Sequence, residues 1–259
     1  MKTMASDVNR RRAARQKKAR QRQLKILLIF FIVVAIVTLV IMCFTVFFQV
    51  KIIKSTGSKI YSGSQIGEAS KVTGKDSLFF VSEEEIEENI RKECPYIDNV
   101  KLKRVFPDEI QLIVTDAKEH AYYLSGDKYY IISEKGYILK EQKETPENVF
   151  QIKTNGIKGK PGQKAEYKNI TENELVTNLI EDLRKYDINI DVIDTTSLLQ
   201  IELKIEGKYT VILGKNEYIS DKIKHLSSML DNITDNSDII DLSMWQPDNR
   251  QGTTRKSGK

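Results

Sequence analysis

Apolar residues in this chain form one long uninterrupted run near the N-terminus and recur periodically after it. Residues Ile26 to Phe48 are 23 consecutive positions without a charge. A helix of this length rises about 35 Å, and the hydrocarbon core of a bilayer is about 30 Å thick. The run therefore predicts a transmembrane helix over residues 26–48. No Ala-x-Ala-like cleavage site follows it, which favours a retained anchor over a cleaved signal peptide.

Residues 49–115 have the pattern of a small domain that mixes strands and helices. Apolar residues alternate in three segments, which predicts three strands, and two serine-headed capping boxes predict helices between the first and second strands. The predicted order is strand, helix, helix, strand, strand. In chain order, the five segments are Phe48–Ile52, Ser62–Gln65, Ser82–Glu85, Val100–Leu102 and Ile110–Val114.

Residues 116–246 predict a β-rich domain with flanking helices, so that the fold class is α+β. A turn separates two tyrosine-rich strands, as in a β-hairpin. Alternation predicts three further strands, and helical spacing of leucine and isoleucine predicts two helices. In chain order, the turn, the first helix, two strands, the second helix and a short last strand lie at Ser125–Asp127, Leu175–Leu183, Leu199–Ile205, Tyr209–Leu213, Ile219–Leu230 and Ile240–Leu242.

Two polar segments lack such periodicity. Residues 141–169 contain two prolines and three glycines among polar residues and predict mainly loop. Residues 247–259 carry no core pattern and predict a disordered tail.

Charge separates the two ends of the chain and predicts its orientation. The first 25 residues carry ten basic side chains and one acid, whereas acids outnumber bases after them. Positive charge beside a span favours the cytoplasmic side, so the N-terminus is predicted inside the cell and the C-terminal part outside. The net charge of +5 therefore belongs to a basic cytoplasmic arm, residues 1–25, and is no argument for nucleic-acid binding.

Candidate catalytic and metal-binding residues are sparse. His120 and His225 lie in different predicted elements, without a cysteine or carboxylate at metal-ligand spacing, so no metal or other cofactor is predicted. Ser125-x-x-Lys128 matches a motif of penicillin-interacting enzymes, and Thr234–Asn236 and Lys256–Gly258 loosely echo the other two motifs. That serine must open a helix, whereas Ser125 lies in a predicted hairpin turn. We therefore expect a protein that is not an enzyme.

Several strings resemble the bacterial cell-division family FtsQ, called DivIB in Gram-positive organisms. The resemblance covers roughly residues 10–245 and is strong to about residue 140. The strings are Phe48-Gln-Val-Lys-Ile-Ile-Lys-Ser-Thr-Gly57, Gly74-Lys-Asp-Ser-Leu-Phe-Phe80, Pro95-Tyr-Ile-Asp-Asn-Val-Lys-Leu-Lys-Arg-Val-Phe-Pro107, Ile110-Gln-Leu-Ile-Val-Thr115, Tyr130-Ile-Ile-Ser-Glu-Lys-Gly136-Tyr-Ile-Leu139 and Ile239-Ile240-Asp241-Leu242.

The resemblance implies a POTRA domain over residues 49–115 and a β-rich domain over residues 116–246. It also implies a non-catalytic scaffold of the division machinery, which joins FtsL- and DivIC/FtsB-type bitopic proteins to the septal peptidoglycan synthase and transpeptidase. The expected location is the cell membrane at the division septum, with a single type II span. Two other classes stay open: a POTRA-containing membrane-anchored receptor or transport component, and a tethered cell-wall enzyme.

In the resembled family, a partner strand adds to an exposed edge of the β-rich domain. An open edge offers unpaired N–H and C=O groups to such a strand. The segment that closes the domain is the candidate here, with the tryptophan after it as either an interface anchor or a core residue. The predicted partner-binding residues are Ile239, Ile240, Asp241, Leu242, Ser243 and Trp245.

Overall fold

The computed structural model describes residues 23–44, 47–233, 238–248 and 252–256. Helix α1 is Gln23–Phe44, and within the described residues it is the one helix long and apolar enough to cross a membrane. It begins three residues before the predicted span, and residues 45–46 lie outside the described residues. Thr38 Oγ1 donates to the carbonyl of Val34, 2.9 Å away, which satisfies the hydroxyl within the helix. The predicted cytoplasmic arm lies outside the described residues up to position 22.

The strand-helix-helix-strand-strand order predicted after the span is present. Its elements are β1 (Ile52–Thr56), α2 (Gly63–Ala69), α3 (Glu83–Glu93), β2 (Ile97–Val105) and β3 (Glu109–Asp116). The strands form one sheet in the order β1-β3-β2. Ser62 caps α2 through the predicted capping box with Gln65. Three glutamates open α3, where their charge stabilises the positive end of the helix dipole.

The rest of the chain builds one large mixed sheet with two helices. Its elements are β4 (Glu119–Ser125), β5 (Lys128–Ser133), β6 (Ile138–Gln142), β7 (Phe150–Lys153), β8 (Ile157–Lys158), β9 (Glu166–Tyr167), α4 (Ile170–Lys185), β10 (Ile190–Asp194), β11 (Ile201–Ile205), β12 (Tyr209–Gly214), α5 (Ile219–Leu230), β13 (Ile239–Asp241) and β14 (Thr253–Arg255). Nine strands form the sheet, in the order β14-β13-β12-β11-β10-β7-β4-β5-β6, while β8 and β9 pair separately.

The region that the sequence predicts as loop contributes a central strand. Strand β7 lies between β10 and β4 and runs parallel to both. Neither β7 nor β10 was predicted, because each is a short run in which only one or two side chains are fully buried. The alternation at 199–205 is present as β11, although the strand begins at Ile201 and Leu199 is exposed.

The described chain divides into two compact units that alternate along the sequence. The first contains the described residues up to Lys54, together with Val72–Ser82 and Leu102–Gln111. Val50, Leu78 and Ile110 are among the residues buried there. The second contains Ser55–Lys71, Glu83–Lys101 and the described residues from Leu112 onwards. Its main core joins one face of the nine-stranded sheet to the apolar stripes of α4 and α5.

Candidate partner-binding edge

The predicted partner-binding segment lies near one end of the nine-stranded sheet. Ile239, Ile240 and Asp241 form β13, which runs parallel to β12. The pairing is fixed at both ends, because Thr210 N–H donates to Asp238 O and Leu242 N–H donates to Ile212 O, each at 2.8 Å. The segment is therefore a built-in strand of the sheet.

Burial divides the predicted residues into two groups. Ile240, Leu242 and Trp245 are buried in the core, Ile239 and Asp241 are half-buried, and Ser243 is exposed. The ring of Trp245 lies 5.9 Å from that of His225 on α5. Its indole N–H has no acceptor among the described residues. Trp245 is thus a core residue in the isolated chain, and only the half-buried and exposed group is accessible.

The sequence predicts that β13 is the exposed edge of the sheet, but β14 pairs with its outer side. The two strands pair antiparallel, with Ile239 opposite Arg255 and Asp241 opposite Thr253. Residues 253–255 belong to the tail that was predicted to be disordered. Two consecutive β-branched threonines favour extended structure, but a three-residue strand is too short to give a recognisable alternation. The structure thereby corrects both the predicted edge and the predicted tail.

Strand β14 pairs with β13 alone, through three antiparallel residue pairs. Asp238 N–H donates to Arg255 O at 3.3 Å, and the Arg255 guanidinium lies 3.8 Å from a carboxylate oxygen of Asp241. Thr253 and Arg255 are exposed and Thr254 is half-buried. An exposed ion pair of this separation contributes about 0–1 kcal/mol. Strand β14 is therefore a three-residue strand at the outermost position of the sheet.

The sheet beneath this edge is firmly built. Asp241 Oδ1 accepts from Ser243 N–H at 2.9 Å and from Ser243 Oγ at 2.6 Å, which ends β13 in a tight turn. On α5, the buried Lys222 donates to the Leu213 carbonyl at the end of β12, 2.6 Å away. Burial lowers the pKa of the Lys222 ammonium from its ordinary value. The Lys222 contact joins α5 to β12, and the bond from Leu242 N–H to Ile212 O joins β13 to β12, so neither contact involves β14.

The Ser125-x-x-Lys128 motif lies at the turn of a β-hairpin and not at the start of a helix. Ser125 and Lys128 pair across the turn between β4 and β5, and the Lys128 ammonium lies 2.8 Å from Glu141. The rings of Tyr123 and Tyr130 stack across the same strands at 5.1 Å. Of the other two motif segments, residues 234–236 and 257–258 lie outside the described residues, and Lys256 is exposed. Across the part of the chain that the structure describes, no cluster of metal-ligating side chains is found.

Comparison with known proteins places the chain in a family. The family model for the POTRA domain of FtsQ type matches residues 48–116. The chain is 30% identical over 199 residues to cell division protein DivIB of Clostridium tetani, with 74% of each chain covered. It is 26% identical over 210 residues to cell division protein DivIB of Clostridium acetobutylicum, covering 79% of this chain and 84% of that one.

A third relative comes from a different group of bacteria. The chain is 24% identical over 190 residues to cell division protein FtsQ of Streptomyces venezuelae, covering 71% of this chain and 68% of that one. With the β-α-α-β-β order, the single apolar helix and the β-rich region already described, these similarities define the class. The chain belongs to the FtsQ/DivIB family of cell-division proteins.

Proposed function

We propose that this chain is a non-catalytic scaffold of the division machinery, which links FtsL- and DivIC/FtsB-type bitopic proteins to septal peptidoglycan synthesis. Family membership supports the role in cell division. The ten basic residues among positions 1–25 support a cytoplasmic N-terminus, which would leave the folded region outside the cell at the septum. We keep the predicted division into an arm, a span, a POTRA domain over 49–115 and a β-rich domain over 116–246 as part of this proposal.

The observation that carries the proposal is the short outer strand β14 on the firmly built β13. Alternate residues of a strand direct their backbone groups to opposite neighbours. Leu242 N–H faces β12, so the backbone groups of Asp241 face the other side, where β14 lies. A partner strand that displaced β14 would take over these groups in register, which is the usual mode of strand addition.

This arrangement assigns separate roles to the predicted residues. Ile239, Asp241 and Ser243 would contact the incoming strand or its side chains, since the first two are only partly buried and Ser243 is exposed. Ile240, Leu242 and Trp245 would hold β13 on the core beneath it. The proposed binding residues therefore remain Ile239 to Ser243 and Trp245. The buried ones would act by holding β13 in place and not by contacting the partner.

A reversible disulfide between β13 and β14 tests whether a partner strand displaces β14. Asp241 and Thr253 lie directly opposite each other, and such antiparallel pairs have Cα separations of about 4.5–5.5 Å, which suits a disulfide. We expect the double variant Asp241→Cys, Thr253→Cys, made in full-length protein with Cys43→Ser, to lose co-purification with a DivIC-type partner when oxidised. Reduction should raise co-purification above that of the oxidised form, because β14 can then leave, while the loss of the Asp241 carboxylate is common to both forms.

The reduced form of the same variant is the internal control for folding. A second control is a deletion of residues 249–259, which opens the edge and should strengthen co-purification. If the oxidised variant binds as well as the reduced one, the partner does not replace β14. If the deletion abolishes binding instead, the partner pairs with the outer side of β14, and the proposed binding residues are wrong.

A further inference from the structure

An aromatic cluster packs directly on the C-terminal end of helix α1. It consists of the rings of Phe44, Phe48, Phe79 and Phe106. Phe44 is the last described residue of α1, and the centroid of its ring lies 4.9 Å from that of Phe79. Phe79 in turn lies 5.1 Å from Phe48 and 5.4 Å from Phe106. All four residues belong to the first compact unit.

Two aromatic side chains of this region face outward although the segment that carries them is firmly held. In the run Leu78-Phe79-Phe80-Val81, the two outer residues are buried, whereas Phe79 is 39% and Phe80 is 76% exposed. Arg104 fixes both ends of the run, since its guanidinium donates to Leu78 O at 2.8 Å and to Val81 O at 2.7 Å. The two phenylalanines are therefore presented outward by a clamped segment.

Backbone contacts join this segment to the end of α1. Ser77 Oγ donates to Phe44 O at 3.1 Å, and Leu78 N–H donates to Phe48 O at 2.7 Å. The position of the segment relative to the helix end is thus set by polar contacts as well as by ring packing. Phe106, which is 58% exposed, extends the same apolar surface.

The depth of this surface in the bilayer follows from the length of α1. A helix of 22 residues rises about 33 Å, so when one end lies at one hydrocarbon boundary the other end, at Phe44, lies at the opposite one. Rings that touch Phe44 lie within a ring diameter of that boundary. Phenylalanine is among the residues that interfacial segments bury at the boundary between headgroups and acyl chains.

Charge in the same unit is compatible with a lipid surface. After α1, the unit has five basic residues and three acids. The acids are all engaged: Asp108 lies 3.3 Å from Lys51, Glu109 lies 2.8 Å from Lys54, and Asp76 accepts from Thr73 N–H at 2.7 Å. The excess of positive charge would therefore attract anionic headgroups.

We propose that Phe79, Phe80 and Phe106 insert into the headgroup boundary of the same bilayer that α1 crosses. The occupant of this exposed apolar surface is lipid, because the surface is continuous with a helix end that itself lies in lipid. The insertion fixes the first unit against the membrane at a second place besides α1. It requires no partner protein and does not depend on which end of the chain is cytoplasmic.

A depth measurement on full-length protein tests this assignment. Phe80→Cys in a Cys43→Ser background is labelled with a polarity-sensitive dye and reconstituted into phosphatidylcholine–phosphatidylglycerol vesicles that contain no other protein. We expect blue-shifted emission, protection from aqueous iodide, and stronger quenching by a nitroxide near the lipid headgroup than by one at the chain end. Phe106→Cys is the second labelling site and should behave in the same way.

The matched control is Met244→Cys, since Met244 is 75% exposed, almost the same as Phe80, but follows β13 in the second unit. Its dye should remain accessible to iodide and insensitive to lipid nitroxides. Replacing Phe79 and Phe106 by serine should weaken the lipid quenching of a dye at position 80. If dyes at positions 80 and 106 both match the Met244 control, the rings face water or a protein partner, and the proposal is overturned.

Discussion

Gly57 shows how a single position fixes the path of the chain after β1. Its φ of +112° lies in a region that residues with a side chain rarely adopt, and a Cβ there would overlap the carbonyl oxygen of Val114 on β3. Backbone strain of this kind costs about 1–3 kcal/mol. We therefore expect Gly57→Ala to lower the free energy of unfolding by about 3 kcal/mol, at the upper end of that range, as measured by chemical denaturation.

Gly126 is the matched control, because its φ of +65° is also positive but no atom lies within 4 Å of the position that a Cβ would occupy. Gly126→Ala should therefore cost only the left-handed backbone term, about 1 kcal/mol. Equal losses in the two variants would show that the overlap with Val114 is relieved by a small backbone shift.

His120 makes the stability of the β-rich region depend on pH. Its ring packs edge-on against Phe150 at 5.1 Å, and its Nε2 has no hydrogen-bond partner among the described residues. Burial is the main cause that lowers the pKa of His120, while the nearby Glu134 raises it and Arg184 lowers it. The folded chain therefore resists protonation of this side chain more than the unfolded chain does.

The direction of the pH effect follows from this difference. Below the ordinary histidine pKa of about 6.5, the unfolded chain takes up a proton that the folded chain resists, so the free energy of unfolding falls as the pH falls. His120→Phe keeps an aromatic ring beside Phe150 and should reduce the loss between about pH 7 and pH 5. His225→Phe, which removes the other histidine, should leave this pH-dependent loss of stability unchanged. Denaturant titrations at both pH values compare the three proteins.

Among the secondary-structure elements, those with strong local signals are predicted from sequence. The capping box at Ser62, the acidic start of α3 and the alternation of β11 and β12 each depend on neighbours in the sequence. Strands β7 and β10 depend on pairing within the sheet instead, because β7 lies in parallel between β4 and β10, and β10 also pairs antiparallel with β11. Strand β14 could not be predicted for the same reason, since its one paired neighbour is β13.

Hydrogen exchange should rank these elements by their place in the sheet. Strands β7 and β10 lie at its centre, with Ile152 and Ile193 buried, whereas β14 is the outermost strand. Central strands open only with the whole fold, while short edge strands open locally. We expect the amides of β7 and β10 to exchange slowest and those of β14 to exchange much faster, as measured by mass spectrometry on full-length protein in nanodiscs. Slow exchange in β14 would contradict its proposed displacement by a partner.

At the scale of the whole molecule, the chain combines an apolar helix near the N-terminus with a folded region whose large sheet ends in the short strand β14. The apolar helix and the strand-helix-helix-strand-strand order after it could be predicted from the sequence, because each is a property of composition or period. The pairing of β14 with β13 and the outward-facing phenylalanines beside α1 could not be predicted, because they depend on which segments are in contact in the folded chain. Both features affect what the folded region can contact.

The orientation of the chain is the prediction on which the partner assignment depends. The ten basic residues among positions 1–25 favour a cytoplasmic arm, so Ala14→Cys should react with a membrane-impermeant maleimide only after cells are permeabilised. Met244→Cys is exposed in the folded region and should react in intact cells. Both variants are made with Cys43→Ser, and the buried Cys94 serves as the background signal. Labelling of Ala14→Cys alone in intact cells would place the folded region inside, where it could not meet the extracellular parts of bitopic division proteins.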